Sequence, residues 1–327
     1  MKRTIDSGVL ASFQRANTVA LICHVSPDGD TVGSALALRL ALLSLGKAVR
    51  AFCQDKVPDT FTLLPGADAV ENEASLAPSD RFDLCCSVDV STAARMGRCA
   101  AAMEHADSRA IIDHHGTNPR DWAPVSDVDG NAPACALLVY ALIRQLGVSV
   151  DPDMAACLYT ALSTDTGNFS YSSTSAEAFE VQAELMKTGF DMSELNRRLF
   201  RVKALPHVLL VKCALESLTL YAGGRVTATS VTLADMEACH ALPEHTDEIV
   251  NQGLQIEGVC MTVFGRESAD GSVKLSLRGN PGYPVDQIAA AFGGGGHALA
   301  AGITFRSGTL RECMDRVIAA MLSHFNA

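Results

Sequence analysis

Four short apolar runs near the start of the chain constrain the fold more than any other feature. Residues 18–23, 48–53, 83–89 and 110–113 read as strands, and helix-like segments fall between and after them. The segment 31–45 is rich in Ala and Leu and ends at Gly46, a residue suited to closing a helix. Residues 133–146 and 153–163 read as two further helices. Strands alternating with helices imply parallel β-α-β units, and so an α/β fold with a doubly wound, mainly parallel sheet. Ligands of such sheets collect outside the carboxyl ends of the strands.

The rest of the chain has a different character. Residues 177–187 read as a helix stopped by Gly189, and the charged stretch 191–205 as another, broken by Pro206. Beyond them, residues 215–220, 226–231, 257–264 and 272–277 read as strands, with turn signals at Gly223-Gly224 and Asp270-Gly271. Short helices follow over 285–292 and 309–325. The expected organisation is a catalytic domain over 1–187, a linker over 188–206 and a smaller α/β domain with a mixed sheet over 207–327. A length of 327 residues suits two domains.

Composition removes several classes of function. The net charge of −11 argues against a protein that tracks a long or duplex nucleic acid through its phosphates. A short phosphorylated substrate met by local charges stays open. Eleven cysteines occur without a C-x-x-C pair, mostly in apolar runs, which reads as buried, reduced thiols in a cytoplasmic protein. No stretch is long and apolar enough to span a bilayer, so no membrane partner is expected.

The polar clusters carry the chemistry. His24-Val-Ser-Pro-Asp28-Gly-Asp30 lies between a strand and a helix. A helix cap accounts for one aspartate, but not for the second or for the histidine. Asp89 ends the strand 83–89, where a turn aspartate is the ordinary reading. Asp113-His114-His115 follows another apolar run, and Asp165 stands where the helix 153–163 ends, in Thr164-Asp-Thr-Gly-Asn-Phe169. Each cluster has a bland explanation alone. Together, His24, Asp28, Asp30, Asp89, His114 and Asp165 are about what two divalent ions need, with one bridging carboxylate. A cysteine-free set of oxygens and imidazoles favours Mn²⁺, with Mg²⁺ as the other candidate, over structural zinc. A fifth cluster, Phe292 followed by Gly293, Gly294, Gly295, Gly296 and His297, offers backbone N–H groups to an anion. Arg278 supplies a guanidinium suited to phosphate.

These five motifs, in this order, resemble the DHH phosphoesterase superfamily with its DHH-associated C-terminal domain, over roughly residues 18–320. The branch it looks most like degrades very short oligoribonucleotides and dephosphorylates pAp (adenosine 3′,5′-bisphosphate). The resemblance implies one metal on His24, Asp28 and Asp89, and a second on Asp30, Asp89, His114 and Asp165. It implies that Asp113 orients a ligand histidine and that His115 meets the scissile phosphate as a catalytic residue. Arg278, Gly294, Gly295, Gly296 and His297 would hold the substrate across an interdomain cleft. Two positions depart from the family pattern: Ser170 follows Phe169 where arginine is frequent, and Gly279 follows Arg278 where serine is usual. The expected activity is Mn²⁺-dependent hydrolysis of oligoribonucleotides of two to five residues and of pAp, of exoribonuclease and 3′(2′),5′-bisphosphate nucleotidase type, by water that two metals activate for attack on phosphorus. The rivals are a linear or cyclic dinucleotide phosphodiesterase, an inorganic pyrophosphatase and a non-catalytic nucleotide sensor. A homodimer is the default assembly.

Overall fold

A computed structural model describes residues 3–325. The chain divides into two compact units, residues 1–202 and 203–327.

The first unit is built on a six-stranded sheet: β1 (Thr18–Ile22), β2 (Ala48–Phe52), β3 (Val70–Glu71), β4 (Phe82–Val88), β5 (Ala106–Asp113) and β6 (Val125–Val128). Their order is β3-β2-β1-β4-β5-β6, and every pairing is parallel. The chain leaves β1 toward one edge, returns at β4 and proceeds to the other. The gap between the carboxyl ends of β1 and β4 is therefore the point at which an α/β sheet opens a ligand crevice. Both faces of the sheet are covered, so the strands read as unbroken apolar runs rather than alternating ones. Val19 and Leu21 of β1 enter a core that also holds helices Gly29–Ser44, Ala136–Gln145 and Pro152–Asp165. Ala20 and Ile22 face a smaller cluster with Phe52, Cys85, Met96 and Met103. Helices Gly29–Ser44 and Pro152–Asp165 pack closely: a Cβ on Gly33 would collide with the Cys157 carbonyl.

The second unit carries β7 (Thr219–Tyr221), β8 (Val226–Val231), β9 (Met261–Glu267), β10 (Val273–Gly279), β11 (Gly295–His297) and β12 (Ala300–Phe305). The order is β11-β12-β10-β9-β8-β7, antiparallel except for β8 with β9, which makes a mixed sheet. Leu275, Leu277, Ile303 and Phe305 point to one face, where helix Leu310–Ser323 closes the core. Thr309 starts that helix with a reciprocal capping box to Glu312.

The structure departs from several of the expected elements, and the strand expected over 257–264 runs instead from Met261 to Glu267. The stretch 191–205 is not one helix: it is a short helix Met192–Asn196, a wider turn Arg197–Arg201, and then non-helical chain. Leu195 and Leu199 of this stretch join the core of the first unit. Pro206 does not end a helix; it stands in the first turn of helix Leu205–Glu216, where its missing N–H has no intrahelical acceptor to lose. That helix also absorbs residues expected to begin a strand at 215. Among the described residues, all cysteines are free, nine of the eleven are buried, and no helix is long and apolar enough to cross a membrane.

Candidate metal centre

Three strands of the first sheet deliver the site. His24 follows β1, Asp89 follows β4, and Asp113 ends β5 immediately before His114 and His115. Asp28 caps helix Gly29–Ser44, accepting from the Asp30 and Thr31 N–H groups at 3.1 Å each. The capping and metal readings of this aspartate therefore hold together. Asp30 lies in the helix's first turn. Asp165 is the last residue of helix Pro152–Asp165. The tight Gly33 contact fixes this helix against the one that carries Asp30.

The six expected ligands converge. His24 Nε2 lies 3.5 Å from Asp28 Oδ1 and 3.6 Å from Asp89 Oδ2. His114 Nε2 lies 3.4 Å from Asp89 Oδ1, 3.1 Å from Asp165 Oδ2 and 3.8 Å from Asp30 Oδ2. Two groups thus form, His24/Asp28/Asp89 and Asp30/His114/Asp165, each compact enough to hold one ion, and a third joins Asp89 to His114 and His115. Asp89 stands between them, with one oxygen toward each histidine.

Two features of Asp89 fit a bound cation. Its Oδ1 is buried and has no hydrogen-bond partner, an arrangement that costs free energy unless something else satisfies the oxygen. Its backbone is in the left-handed region, φ 60°, where non-glycine residues are uncommon and cluster at functional sites. The electrostatics agree. Burial, then the charges of Asp30 and Asp28, push the Asp89 carboxyl well above the usual range. Burial and the charge of Asp165 push Asp30 up to about 8. Burial works against a charged His114, but its hydrogen bond to Asp165 and the charges of Asp30 and Asp89 raise it to about 10. Carboxylates crowded in this way are held apart by protons or by cations. An all-oxygen and imidazole donor set suits divalent ions such as Mn²⁺ or Mg²⁺.

Supporting groups orient the ligands. His114 Nδ1 lies 3.1 Å from the Ala132 carbonyl, so donation there leaves Nε2 for a metal. Asp30 accepts from the Cys135 N–H at 2.5 Å, the Ala136 N–H at 3.1 Å and the Ser34 hydroxyl at 2.9 Å. The N-terminus of helix Ala136–Gln145 thereby fixes its oxygens. Asp113, fully buried, pairs with His115 Nδ1 at 2.8 Å and accepts from Asn118 Nδ2 at 2.7 Å. The histidine that Asp113 orients is thus His115, not His114. Burial would raise the Asp113 carboxyl, but the His115 and Asn118 hydrogen bonds outweigh it and hold the pKa low. Ser34, Asn118 and Ala132 carry no sequence signal of this role, because their partners are set by tertiary contact.

In the second unit, the glycine stretch is not a loose loop. Gly295–His297 forms β11 and pairs with β12. Arg278 and His297 are both registered opposite Ala300, from β10 and β11 respectively. Directly opposed residues share a face, so the guanidinium and the imidazole stand on one side of the sheet, two strand spacings or about 10 Å apart. Gly296, at φ 149°, has no room for a Cβ against the Ala300 carbonyl. Both family departures have local reasons here. A side chain at Gly279 would collide with the Tyr283 carbonyl. The Ser170 hydroxyl donates to the Gly167 carbonyl and closes the turn after Asp165.

Comparison with known proteins agrees with this geometry. Residues 18–162 match the DHH family N-terminal domain, and residues 226–326 match the DHHA1 domain. The chain is 31% identical over 315 residues to the bifunctional oligoribonuclease and PAP phosphatase NrnA of Thermus thermophilus, covering 93% of this chain and 89% of that protein. It is 25% identical to a probable bifunctional oligoribonuclease and PAP phosphatase of Streptococcus mutans, over 90% of this chain and 91% of that one. The crystal structure of an exopolyphosphatase-related protein from Bacteroides fragilis superposes with a TM-score of 0.91 at 26% identity, covering 99% of this chain and 98% of that one. With both domain types in order and a relative above 30% identity along nearly its whole length, the chain belongs to the DHH family of phosphoesterases and carries the DHHA1 domain.

Proposed function

We propose that this protein is an Mn²⁺-dependent phosphoesterase that cleaves short oligoribonucleotides of two to five residues to mononucleotides and converts pAp to AMP. The observation that supports the metal-dependent chemistry is Asp89: a buried carboxylate with one unpartnered oxygen, within reach of two groups of residues that could each hold a cation. The activities named for the Thermus and Streptococcus relatives support the substrate class. His24, Asp28 and Asp89 would hold one ion, and Asp30, Asp89, His114 and Asp165 the other. Divalent ions bound there supply positive charge to the phosphate oxygens and acidify water at neutral pH. His115 meets the scissile phosphate. Its Nδ1 is tied to Asp113, so Nε2 is the nitrogen that holds a proton for the leaving oxygen. Asp113 stabilises the charged imidazole in that step, and Asn118 keeps Asp113 aimed. Arg278 and His297 grip the substrate's remaining phosphate and sugar–base end, with the backbone of Gly294, Gly295 and Gly296 beside them. Buried thiols support a reducing, cytoplasmic setting.

The deciding experiment measures nucleotide and phosphate release with Mn²⁺, with Mg²⁺ and with chelator. The substrates are a 5′-phosphorylated diribonucleotide, pAp, a linear dinucleotide, pyrophosphate and short polyphosphate. Chelator-sensitive turnover of the first two, well above the rest, is the expected result. Turnover of pyrophosphate or polyphosphate alone would overturn the assignment.

A further inference from the structure

A guanidinium stands beside the candidate metal ligands, outside the motifs considered so far. Arg95 follows Asp89 by six residues, on the turn Ala93–Ala100 that leaves β4. Its carbonyl accepts the Val25 N–H at 2.7 Å, which ties the loop after β4 to the loop that bears His24. Its guanidinium Nη2 lies 2.8 Å from His24 Nδ1. That same nitrogen lies 2.9 Å from the Val25 carbonyl.

One ring nitrogen cannot satisfy both neighbours. Without a proton, Nδ1 accepts from Arg95 and turns a lone pair toward the Val25 oxygen. With a proton, it donates to Val25 and offers Arg95 nothing. Were His24 to hold a metal through Nε2, its proton would sit on Nδ1, and that nitrogen would no longer accept from the guanidinium. No carboxylate takes its place: Arg3, Arg50 and Arg98 of this unit each pair with acidic side chains, whereas Arg95 has no ion pair among the described residues. The partner of its guanidinium is a neutral ring nitrogen, so its charge is left for an anion that reaches the same crevice.

We propose that Arg95 binds the phosphate of the substrate at the metal centre. The inference rests on the phosphoesterase reading of the site. A guanidinium presents a planar fork of donors that matches phosphate oxygens, and charge-assisted hydrogen bonds of this kind are among the stronger ones. The backbone that carries Arg95 is fixed independently of its side chain. Gly97 takes φ 55° against Gln54 and Val25, and the Arg98 N–H donates to Gln54 Oε1 at 2.9 Å. Removal of the guanidinium should therefore leave the turn in place.

The test compares wild type with Arg95→Ala, Arg95→Gln and Arg95→Lys by calorimetric titration, first with Mn²⁺ and then, on the Mn²⁺-loaded protein, with 5′-AMP. Adenosine serves as the phosphate-free control. Expected is Mn²⁺ affinity within about two-fold of wild type and a loss of AMP affinity of roughly 10- to 100-fold in the Ala and Gln variants. Lysine should recover part of it, and adenosine binding should not move. Unchanged AMP affinity would overturn the proposal. So would a parallel loss of Mn²⁺ and AMP binding, which would make Arg95 a residue that merely positions His24. Failure of wild type to bind Mn²⁺ would instead remove the metal-centre reading beneath it. If the alanine variant does not fold, the glutamine and lysine variants decide the matter.

Discussion

Asp89→Asn should stabilise the metal-free protein and destroy the metal-loaded one. Asparagine is isosteric and tolerates the left-handed backbone at φ 60°, so no strain is added. In the metal-free protein the buried Asp89 carboxyl, 2% exposed, is pushed well above its usual pKa by burial and by Asp30 and Asp28. Folding must then take up a proton that the unfolded chain has already lost. Each pH unit above the ordinary carboxyl value of about 3.9 costs about 1.4 kcal/mol. Coupling to the neighbouring carboxylates reduces this, so at pH 6 the amide should be the more stable protein by less than that ceiling. A unit of this size gains about 2–4 °C in melting temperature per kcal/mol. With Mn²⁺ the order reverses. Wild type gains about 2.7 kcal/mol at a hundred-fold excess over Kd, and the variant, lacking the shared ligand, gains little. Differential scanning calorimetry of both proteins, in chelator and in Mn²⁺, reads all four states, and pAp hydrolysis should fall by about a thousand-fold or more (about 4 kcal/mol in the barrier). A variant that melts below wild type in chelator, or that keeps the full Mn²⁺-induced rise, would refute the argument.

Three further outcomes follow from the same geometry. Metal-free stability should fall as pH rises from 6 to 9. Asp30, at about 8 when folded, is protonated where the unfolded carboxyl is ionised, so each step from about pH 4 to 8 disfavours folding. His114, raised chiefly by its hydrogen bond to Asp165, adds stability that is full below about 6.5 and is lost as pH rises through its folded pKa. Both act in the same sense, and denaturant titrations in chelator at pH 6, 7, 8 and 9 check it; a flat or rising series contradicts it. Gly33→Ala should cost about 1–3 kcal/mol and weaken Mn²⁺ binding, because the new methyl meets the Cys157 carbonyl and parts the helices that bear Asp30 and Asp165; thermal melts and Mn²⁺ titration measure the two effects. Gly296→Ala should raise KM for pAp several-fold with Mn²⁺ affinity unchanged, since it displaces β11 and with it His297 from Arg278.

What the sequence made legible follows from how far each signal had to reach. His24, Asp89 and Asp113 each end a strand, so local pattern and a general rule about parallel sheets were enough to place them at one edge. Asp165 is brought in by a helix, through close glycine contacts at positions 29 and 33. The end of helix Leu205–Glu216 reads as a strand because its apolar residues continue into Leu218 and Leu220, and a short apolar run does not distinguish helix from strand. Pro206 reads as a stop signal, although proline suits a helix's first turn equally well. Strand β6, with Ser126 and Asp127 at its centre and no fully buried residue, has too little apolar content to announce itself. The groups that make the site chemically specific were the least visible. The Cys135 N–H on Asp30 spans 105 residues, and Arg95 on His24 spans 71. Neither contact has a local signature, because an N–H or a guanidinium acquires its role only when the fold supplies the partner. Ligands can be inferred from residue type and order, whereas their protonation and aim are properties of the folded chain. This is why residue order ties Asp113 to a histidine, while a hydrogen bond of 2.8 Å is what ties it to His115 rather than His114.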